Sequence, residues 1–473
     1  MRFLNSNTLY FLFFFILNFI LKILFLEHNP FSYDEIISVG ITQKDFGHVK
    51  HDAEWDNNPP FYYYCLWVWL KIFPITEFYS RLMSVLFTST AVSLAFILIR
   101  KKLNIFTAIL TCLFLSLSNI ILFYAHDARA YSLILLLGVV STLLFFKFLE
   151  KPSYFNLFFL ALTNFLILYS HYIAALIIVG QYLFILFVEK RQFLKLYVYQ
   201  NLFIIGFVLL RFTKKQFKLI FNFNINGDFW LKPATFDDFL YSINQLFFTY
   251  NLFVLTFLLS IFGFYFVLKK KRNENIKFLI YCFIIGYFSI LILYVLGSFK
   301  AVYLDRYLIF TIPFVIIFNI YCISKIKKVG AYISALIIIP LIININLCPL
   351  KGMDYKPVAT IIKQQNYKNE SCILINTSDN LNLFYYYYDY TNFVNVRKHD
   401  SLILKEKIFG INDTNQFNDL NIQNYKLIYL VQSFNKKNGN GEDIIRKFLK
   451  QYYNQIFYTN TFMATEFSIF KKI

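Results

Sequence analysis

The chain has 473 residues, 58% hydrophobic and 21% aromatic, with a formal net charge of +19. A soluble globular chain is about 45–50% apolar, so a mean hydropathy of +0.53 leaves too little polar surface to cover a water-soluble body. The 14 glycines and 10 prolines exclude a fibrous or low-complexity chain. The basic residues fall in short clusters between apolar runs rather than on one soluble domain, which excludes nucleic acid as the partner behind the charge.

In chain order, about eleven segments meet the roughly 20-residue apolar requirement of a spanning helix. They are Thr8–Leu26, Leu82–Ile99, Ile105–Tyr124, Tyr131–Leu149, Phe155–Tyr169, Ile173–Val188, Leu194–Leu210, Phe247–Leu268, Phe278–Leu296, Leu308–Ile323 and Val329–Leu347. The first is too long for a signal-peptide core and has no small-residue cleavage site, so it is expected to be retained. Phe61–Phe73 is apolar but short and follows Pro59-Pro60, and is expected to be interfacial or re-entrant.

Basic clusters set the threading. Arg100-Lys101-Lys102, Lys147 with Lys151, Lys190-Arg191 with Lys195, Lys269 to Arg272, and Lys325 with Lys327-Lys328 occupy alternate connections. A cytoplasmic N-terminus puts all of them inside. It puts the loops at 27–80, 125–130, 211–246 and 297–307 outside, together with the tail from Cys348. Arg211, Lys214, Lys215 and Lys218 break the rule; they mark either a miscounted span or an external phosphate site. The expected fold is an α-helical polytopic membrane domain over 1–347 and a small α/β extracytoplasmic domain over 348–473.

In that tail, Pro357–Gln365 and Glu442–Tyr453 pattern as helices. Cys372–Ile375 and Leu427–Val431 pattern as buried strands, with a final strand pair after them. Tyr385–Tyr388 suggests an amphipathic surface against the membrane or the helices. Cys65, Cys112, Cys282 and Cys322 lie in or beside apolar runs and suit packing, whereas Cys348 and Cys372 leave a disulfide open.

The chemistry-capable residues gather on the outer side. Loop 27–80 is long, and long loops tend to be functional. It carries Asp34-Glu35, Asp45, His51-Asp52, Glu54 and Asp56. A carboxylate about eight residues past the first span sits at the bilayer surface, where reduced dielectric would raise its basicity and suit it to take a proton from a hydroxyl or amine; the alternative is a solvated acidic loop. Tyr124–Tyr131 holds His126, Asp127 and Arg129 between two apolar runs, where charge is costly unless paired or functional. Arg129 either pairs Asp127 or holds an anionic head group by bidentate hydrogen bonds. His171-Tyr172 lies between two spans, as an interfacial histidine or a ligand contact. Arg81, and Asp305-Arg306-Tyr307, open two further spans, as anchors or as binding groups. Carboxylates and arginines at one lipid–water boundary suit a substrate with a phosphate and a hydroxylated or amine acceptor.

These motifs together resemble the GT-C glycosyltransferases. Asp34-Glu35 looks like their acidic motif after the first helix. Asn58-Pro59-Pro60-Phe61-Tyr62-Tyr63 is similar to the PPLYY-type element of glycosyltransferase family 39, the protein O-mannosyltransferase and aminoarabinose transferase group. Glu77–Leu82, Tyr124–Tyr131 and Asp305–Leu308 resemble the elements that follow, in order over residues 1–320. The resemblance implies a polyprenyl-phosphate-linked sugar donor, inverting transfer, Asp34 as base and Glu35 orienting or sharing that role. It makes Arg129 and Arg306 candidates for the lipid phosphate, with Arg81, His126, Asp127, Tyr131, His171 and Tyr307 around the substrate. His126-Asp127 departs from the Gln-type residues expected in that turn, which puts donor identity in doubt. The resemblance implies no cofactor, although the acidic loop around His51 and Asp52 leaves a divalent ion open. It places the protein in a plasma membrane, the bacterial inner membrane, with its site outside and a lipid, glycan or protein acceptor.

A flippase for lipid-linked glycans, or a glycan polymerase, is the competing reading. A flippase needs polar residues along a path through the bilayer, whereas the span interiors are nearly free of charge, with Lys22 and Lys195 near ends. A polymerase usually carries its large polar loop late in the chain, not first. Reporter fusions check the threading: a cytoplasm-only reporter should be active at Lys102 and an external-only one at Ile473. The reverse pattern would overturn the whole site assignment.

Overall fold

A computed structural model describes residues 6–43, 45–55, 58–189, 192–211, 232–247, 249–269, 273–300, 302–327, 329–349, 354–365, 370–376, 380–390, 404–412, 416–433, 444–462 and 465–473. The chain divides into two compact units. The first is Met1–Leu26, Phe46–Pro74 and Phe78–Pro349; the second is Glu27–Asp45, Ile75–Glu77 and Leu350–Ile473. Part of the long loop therefore groups with the tail, where the sequence suggests one boundary at 347.

The first unit is helical. Its early elements are α1 (Ser6–Ile23), followed after the second unit's α2 (Tyr33–Thr42) by α3 (Phe46–Trp55), α4 (Phe61–Ile72) and α5 (Glu77–Lys102). There follow α6 (Ile105–Leu117), α7 (Asn119–Ala125), α8 (Tyr131–Glu150), α9 (Tyr154–Leu168), α10 (Ala175–Phe187) and α11 (Gln192–Arg211). Loop 27–80 is thus largely helical. Helix boundaries follow local chemistry: Asn104 caps α6 by accepting from Thr107 N at 2.8 Å, and Ser153 caps α9 through Asn156 N. Lys101 and Lys102 at the end of α5 reach both carboxylate oxygens of Glu150 at the end of α8, at 2.7 and 2.6 Å. Lys214, Lys215 and Lys218 lie outside the described residues, so only Arg211 of that cluster is placed, closing α11.

All eleven candidate spans are helical. Six are individually long and apolar enough to cross a membrane, and α6 with α7, bent by 59°, makes a seventh. The others fall short for physical reasons. α9, Tyr172–Phe187 and Gly330–Ile343 are under 18 residues, and at 1.5 Å per residue they do not bridge a core of about 30 Å unaided. α11 is the exception: it is 20 residues long, with Lys195 as the one charge before its closing Arg211.

Polar side chains inside the bundle satisfy one another. Asn164, Gln181, Ser141 and Tyr197 form one closed hydrogen-bonded group. Asn319 accepts from Ser260 at 2.8 Å and from Tyr287 at 2.6 Å, beside the π-helical turn Ile284–Phe288. Tyr250–Lys269 packs on Ile312–Ile323, and the contact needs a glycine. A Cβ on Gly263 would stand 2.1 Å from the Cys322 carbonyl oxygen.

The second unit is α/β. Its sheet runs β2 (Ile408–Ile411), β1 (Ser371–Asn376), β3 (Leu427–Ser433), β5 (Thr465–Lys472), β4 (Tyr453–Phe462). β1 is parallel to both neighbours, and β5 is antiparallel to both of its own. β1 is buried on both faces, as its unbroken apolar run implies. One face packs on Lys356–Gln364, on Leu381–Tyr388 and on Phe31, Ile36 and Val39 around α2; the other packs on Ile445 and Leu449. Tyr385 is fully buried and Tyr386 and Tyr388 nearly so. The tyrosine run is core, not a membrane-facing surface, because it continues a helix whose apolar side the sheet covers. Tyr387 accepts from Phe31 N at 2.6 Å and donates to Glu77 at 3.2 Å. Of the expected helix over 442–453, residues 442 and 443 lie outside the described residues, Ile444–Leu449 is helical, and Tyr453 already belongs to β4. β2 had no sequence signal. All six cysteines, each among the described residues, are free, so Cys348 and Cys372 form no disulfide.

Overpacking at a backbone contact typically costs about 1–3 kcal/mol. Gly263→Ala should therefore lower the thermal stability of the purified protein by that order, whereas Gly206→Ala, where nothing lies within 4 Å, should not. Equal melting temperatures for wild type and Gly263→Ala would contradict the packing.

Candidate anion site

Two prolines stop the chain before α4, leaving its first amides without helical partners. One finds an external acceptor: Phe61 N donates to Tyr169 O at 3.0 Å. This ties the start of α4 to the end of α9 and brings Tyr62 and Tyr63 beside Ser170 and His171. The turn between α7 and α8 contributes the third side. A small cavity, with room for about one water-sized group, is lined by Asn58, Pro59, Tyr62, Tyr63, Arg129, Ala130, Tyr131, Ser170 and His171.

Arg129 is only 6% exposed, and its Nη1 donates to the Tyr63 hydroxyl at 3.1 Å. His171 is 7% exposed. Its ring packs 4.6 Å from that of Tyr307 and 6.2 Å from that of Tyr131. The Arg306 guanidinium lies 5.9 Å from the Tyr131 ring centre and 5.8 Å from that of Tyr307, within cation–π range. Burial, with the charges of Arg306 and Arg129 beside it, pushes the His171 imidazole down to about 3. Its Nδ1 accepts from Ile173 N at 3.3 Å. A neutral ring whose Nδ1 accepts carries its proton on Nε2, so His171 is a fixed N–H donor and not a base. Two guanidinium groups and a neutral donor, framed by tyrosines, suit an anion with an apolar or sugar-like neighbour.

The predicted substrate residues divide accordingly. Arg129, Tyr131 and His171 line the cavity, and Arg306 and Tyr307 pack against them. Arg81 and His126 have side chains tied to backbone, and Asp127 is held through its own main chain. Arg81 is buried and donates to Leu26 O at 2.9 Å. His126 Nε2 is 2.9 Å from Lys22 O. Asp127 accepts from Ser84 through its main-chain oxygen at 2.7 Å. Asp34 and Glu35 belong to the second unit, in the first turn of α2. Glu35 is fully buried and completes a capping box: its carboxylate accepts from Ser32 N at 2.9 Å while Ser32 Oγ accepts from Glu35 N at 3.4 Å. Asp34 is partly exposed. Asn58, Tyr62, Tyr63 and Ser170 were not singled out as site residues. The first three stand in the Pro-Pro motif, which was the available signal; Ser170 had none. His51 is 3.1 Å from Asp52. Among the described residues no group of three His, Cys, Asp or Glu side chains could hold a metal.

The fold is that of the GT-C membrane glycosyltransferases. The sequence matches the family described as dolichyl-phosphate-mannose-protein mannosyltransferase over residues 57–212, about a third of the chain. That stretch includes the cavity motifs and not Asp34 or Arg306. Apo ArnT from Cupriavidus metallidurans is similar in structure, with TM-score 0.60 at 10% identity over 98% of both chains. The same protein bound to undecaprenyl phosphate gives 0.56 at 11% identity over 97% of both. An Archaeoglobus fulgidus oligosaccharyltransferase in complex with zinc and sulfate gives 0.51 at 11% identity, over 95% of this chain and 72% of that one. No curated protein matches by sequence.

A lowered histidine value favours the neutral folded state. Nothing is lost above the unfolded value of about 6.5, and stability falls as pH drops from there toward 3. Between pH 7 and 5 this amounts to about 2 kcal/mol. Wild type should therefore lose more thermal stability over that interval than His171→Asn, compared by melting in the same detergent; parallel losses would show that His171 is not held neutral.

Proposed function

We propose that this protein is an inverting glycosyltransferase of the plasma membrane. It moves a sugar from a polyprenyl-phosphate donor to an acceptor on the outer side. The observation that carries the proposal is the buried guanidinium of Arg129 in a tyrosine-lined cavity, with the Arg306 charge acting on the same histidine. An anion is the ligand such a pair favours. The ArnT structure with undecaprenyl phosphate supports a lipid phosphate as that anion, and the basic-cluster threading supports an outward site.

In the proposed reaction Asp34 takes the proton of the acceptor hydroxyl or amine. The acceptor atom attacks the anomeric carbon from the face opposite the phosphate and forms the new glycosidic bond. The bond from anomeric carbon to phosphate oxygen breaks, and its electron pair leaves with the lipid phosphate. Arg129 and Arg306 meet the negative charge that grows on that oxygen, which lowers the barrier most in a site with little water. His171 donates Nε2–H to a phosphate or sugar oxygen. Glu35 holds the helix turn that presents Asp34. The reading needs no cofactor. The acceptor is a lipid, glycan or protein exposed outside the cytoplasm.

Removing a general base typically costs 10²–10⁴-fold. Asp34→Asn should lower kcat by that order in protein that remains inserted and monodisperse. Arg129→Lys keeps charge and loses the guanidinium fork, so it should raise KM for a polyprenyl-phosphate sugar more than it lowers kcat. Wild-type turnover in Asp34→Asn would remove Asp34 as base. Activity of the wild type with a nucleotide sugar in lipid-free detergent would remove the lipid-phosphate donor.

A further inference from the structure

Lys22 lies in the last turn of α1 and is 0% exposed. A lysine inside a spanning helix is expensive and calls for partners. Its Nζ donates to Asn18 Oδ1 at 2.6 Å and to Ser116 O at 3.2 Å. Asn18 Nδ2 in turn donates to Ser116 Oγ at 2.9 Å and to Phe14 O at 2.8 Å. Ser116 Oγ donates to Cys112 O at 2.6 Å. Ser116 stands in the final turn of α6, just before the 59° break. The last carbonyls of a helix lack intrahelical amides and carry the negative end of its dipole. Lys22 meets one of them.

The same residue also holds the far end of α7. His126 is the C-cap of α7, and its Nε2 is 2.9 Å from the Lys22 main-chain oxygen. Lys22 therefore meets the chain on both sides of α7: its side chain takes the Ser116 carbonyl at the end of α6, and its main-chain oxygen meets His126 at the C-cap of α7. Three residues beyond His126 comes Arg129, in the cavity wall.

We propose that Lys22 is a positioning residue that fixes α7 and, through the His126–Arg129 turn, aims Arg129 into the anion cavity. The inference rests on the reading of Arg129 as an anion contact. The angle of this seven-residue helix against its predecessor is set by its buried side chains together with the polar contacts at the break and at the C-cap. Fixing that angle before the ligand arrives lowers the ordering cost of binding.

The test uses full-length protein in detergent and undecaprenyl phosphate as the probe. Lys22→Met should weaken binding by about tenfold in the monodisperse fraction, and Lys22→Arg, which keeps the donors, should recover part of it. Arg129→Lys should weaken binding by itself. The double variant Lys22→Met/Arg129→Lys should bind no more weakly than Arg129→Lys alone, because both changes act on one contact. Multiplied losses in the double variant would overturn the inference. So would wild-type affinity in Lys22→Met beside a weakened Arg129→Lys, which leaves the anion-site reading standing. Wild-type affinity in Arg129→Lys would overturn both. Should Lys22→Met fail to fold, Asn18→Leu removes the acceptor that aims Nζ; it should weaken binding about threefold, and wild-type affinity there would equally overturn the inference.

Discussion

Water leaves a guanidinium only at a cost of several kcal/mol, unless hydrogen bonds and ring faces replace the solvent. Arg129 is placed under that constraint by the turn between α7 and α8. The surrounding structure answers it with the Tyr63 hydroxyl, the start of α4 tied to Tyr169 O, and the neutral ring of His171. Arg306 is met by the ring faces of Tyr131 and Tyr307. Two such charges beside one cavity suit an anionic ligand. Filling the space with apolar side chains would have made a more stable bundle without a site.

The same economy of polar groups runs through the bundle. Buried polar groups gather at two irregularities of the spans. At the α6–α7 break Lys22 takes up the Ser116 carbonyl, and beside the π-helical turn Ile284–Phe288 Asn319 accepts from Tyr287 and Ser260. These groups lie within spans, away from water, so their partners must be protein.

Much of this was legible in the sequence because a membrane chain writes its architecture in long apolar runs. All eleven candidate spans are helical, and β1, β3 and the closing strand pair stand where apolar runs put them. Order and spacing of short motifs were enough to point to the GT-C fold. What stayed hidden depends on contacts between distant segments. Tyr385–Tyr388 reads the same whether its partner is lipid or a sheet, and only the packing against Ile373 and Tyr429 decides. Lys22 reads as a charge near a helix end; its burial depends on Ser116, 94 positions away. Arg81 and His126 are candidate substrate groups because charge beside a span is uncommon, and their bonds to the main chain of the segment 22–26 have no signal in the sequence. A sequence shows that such a residue needs a partner, not which one it has.

Asp34 and Glu35 show how neighbouring residues of like chemistry part company. Side chains at adjacent helix positions point about 100° apart. Ser32 caps α2, so the residue three positions on faces back to the cap's own amide, and that residue is Glu35. A carboxylate buried in that bond answers the positive end of the helix dipole. Asp34, one position earlier, shares the favourable field of the helix N-terminus without closing the box, and its side chain is partly exposed. The capping geometry therefore gives Glu35 a structural task and leaves the Asp34 carboxylate outside the capping box.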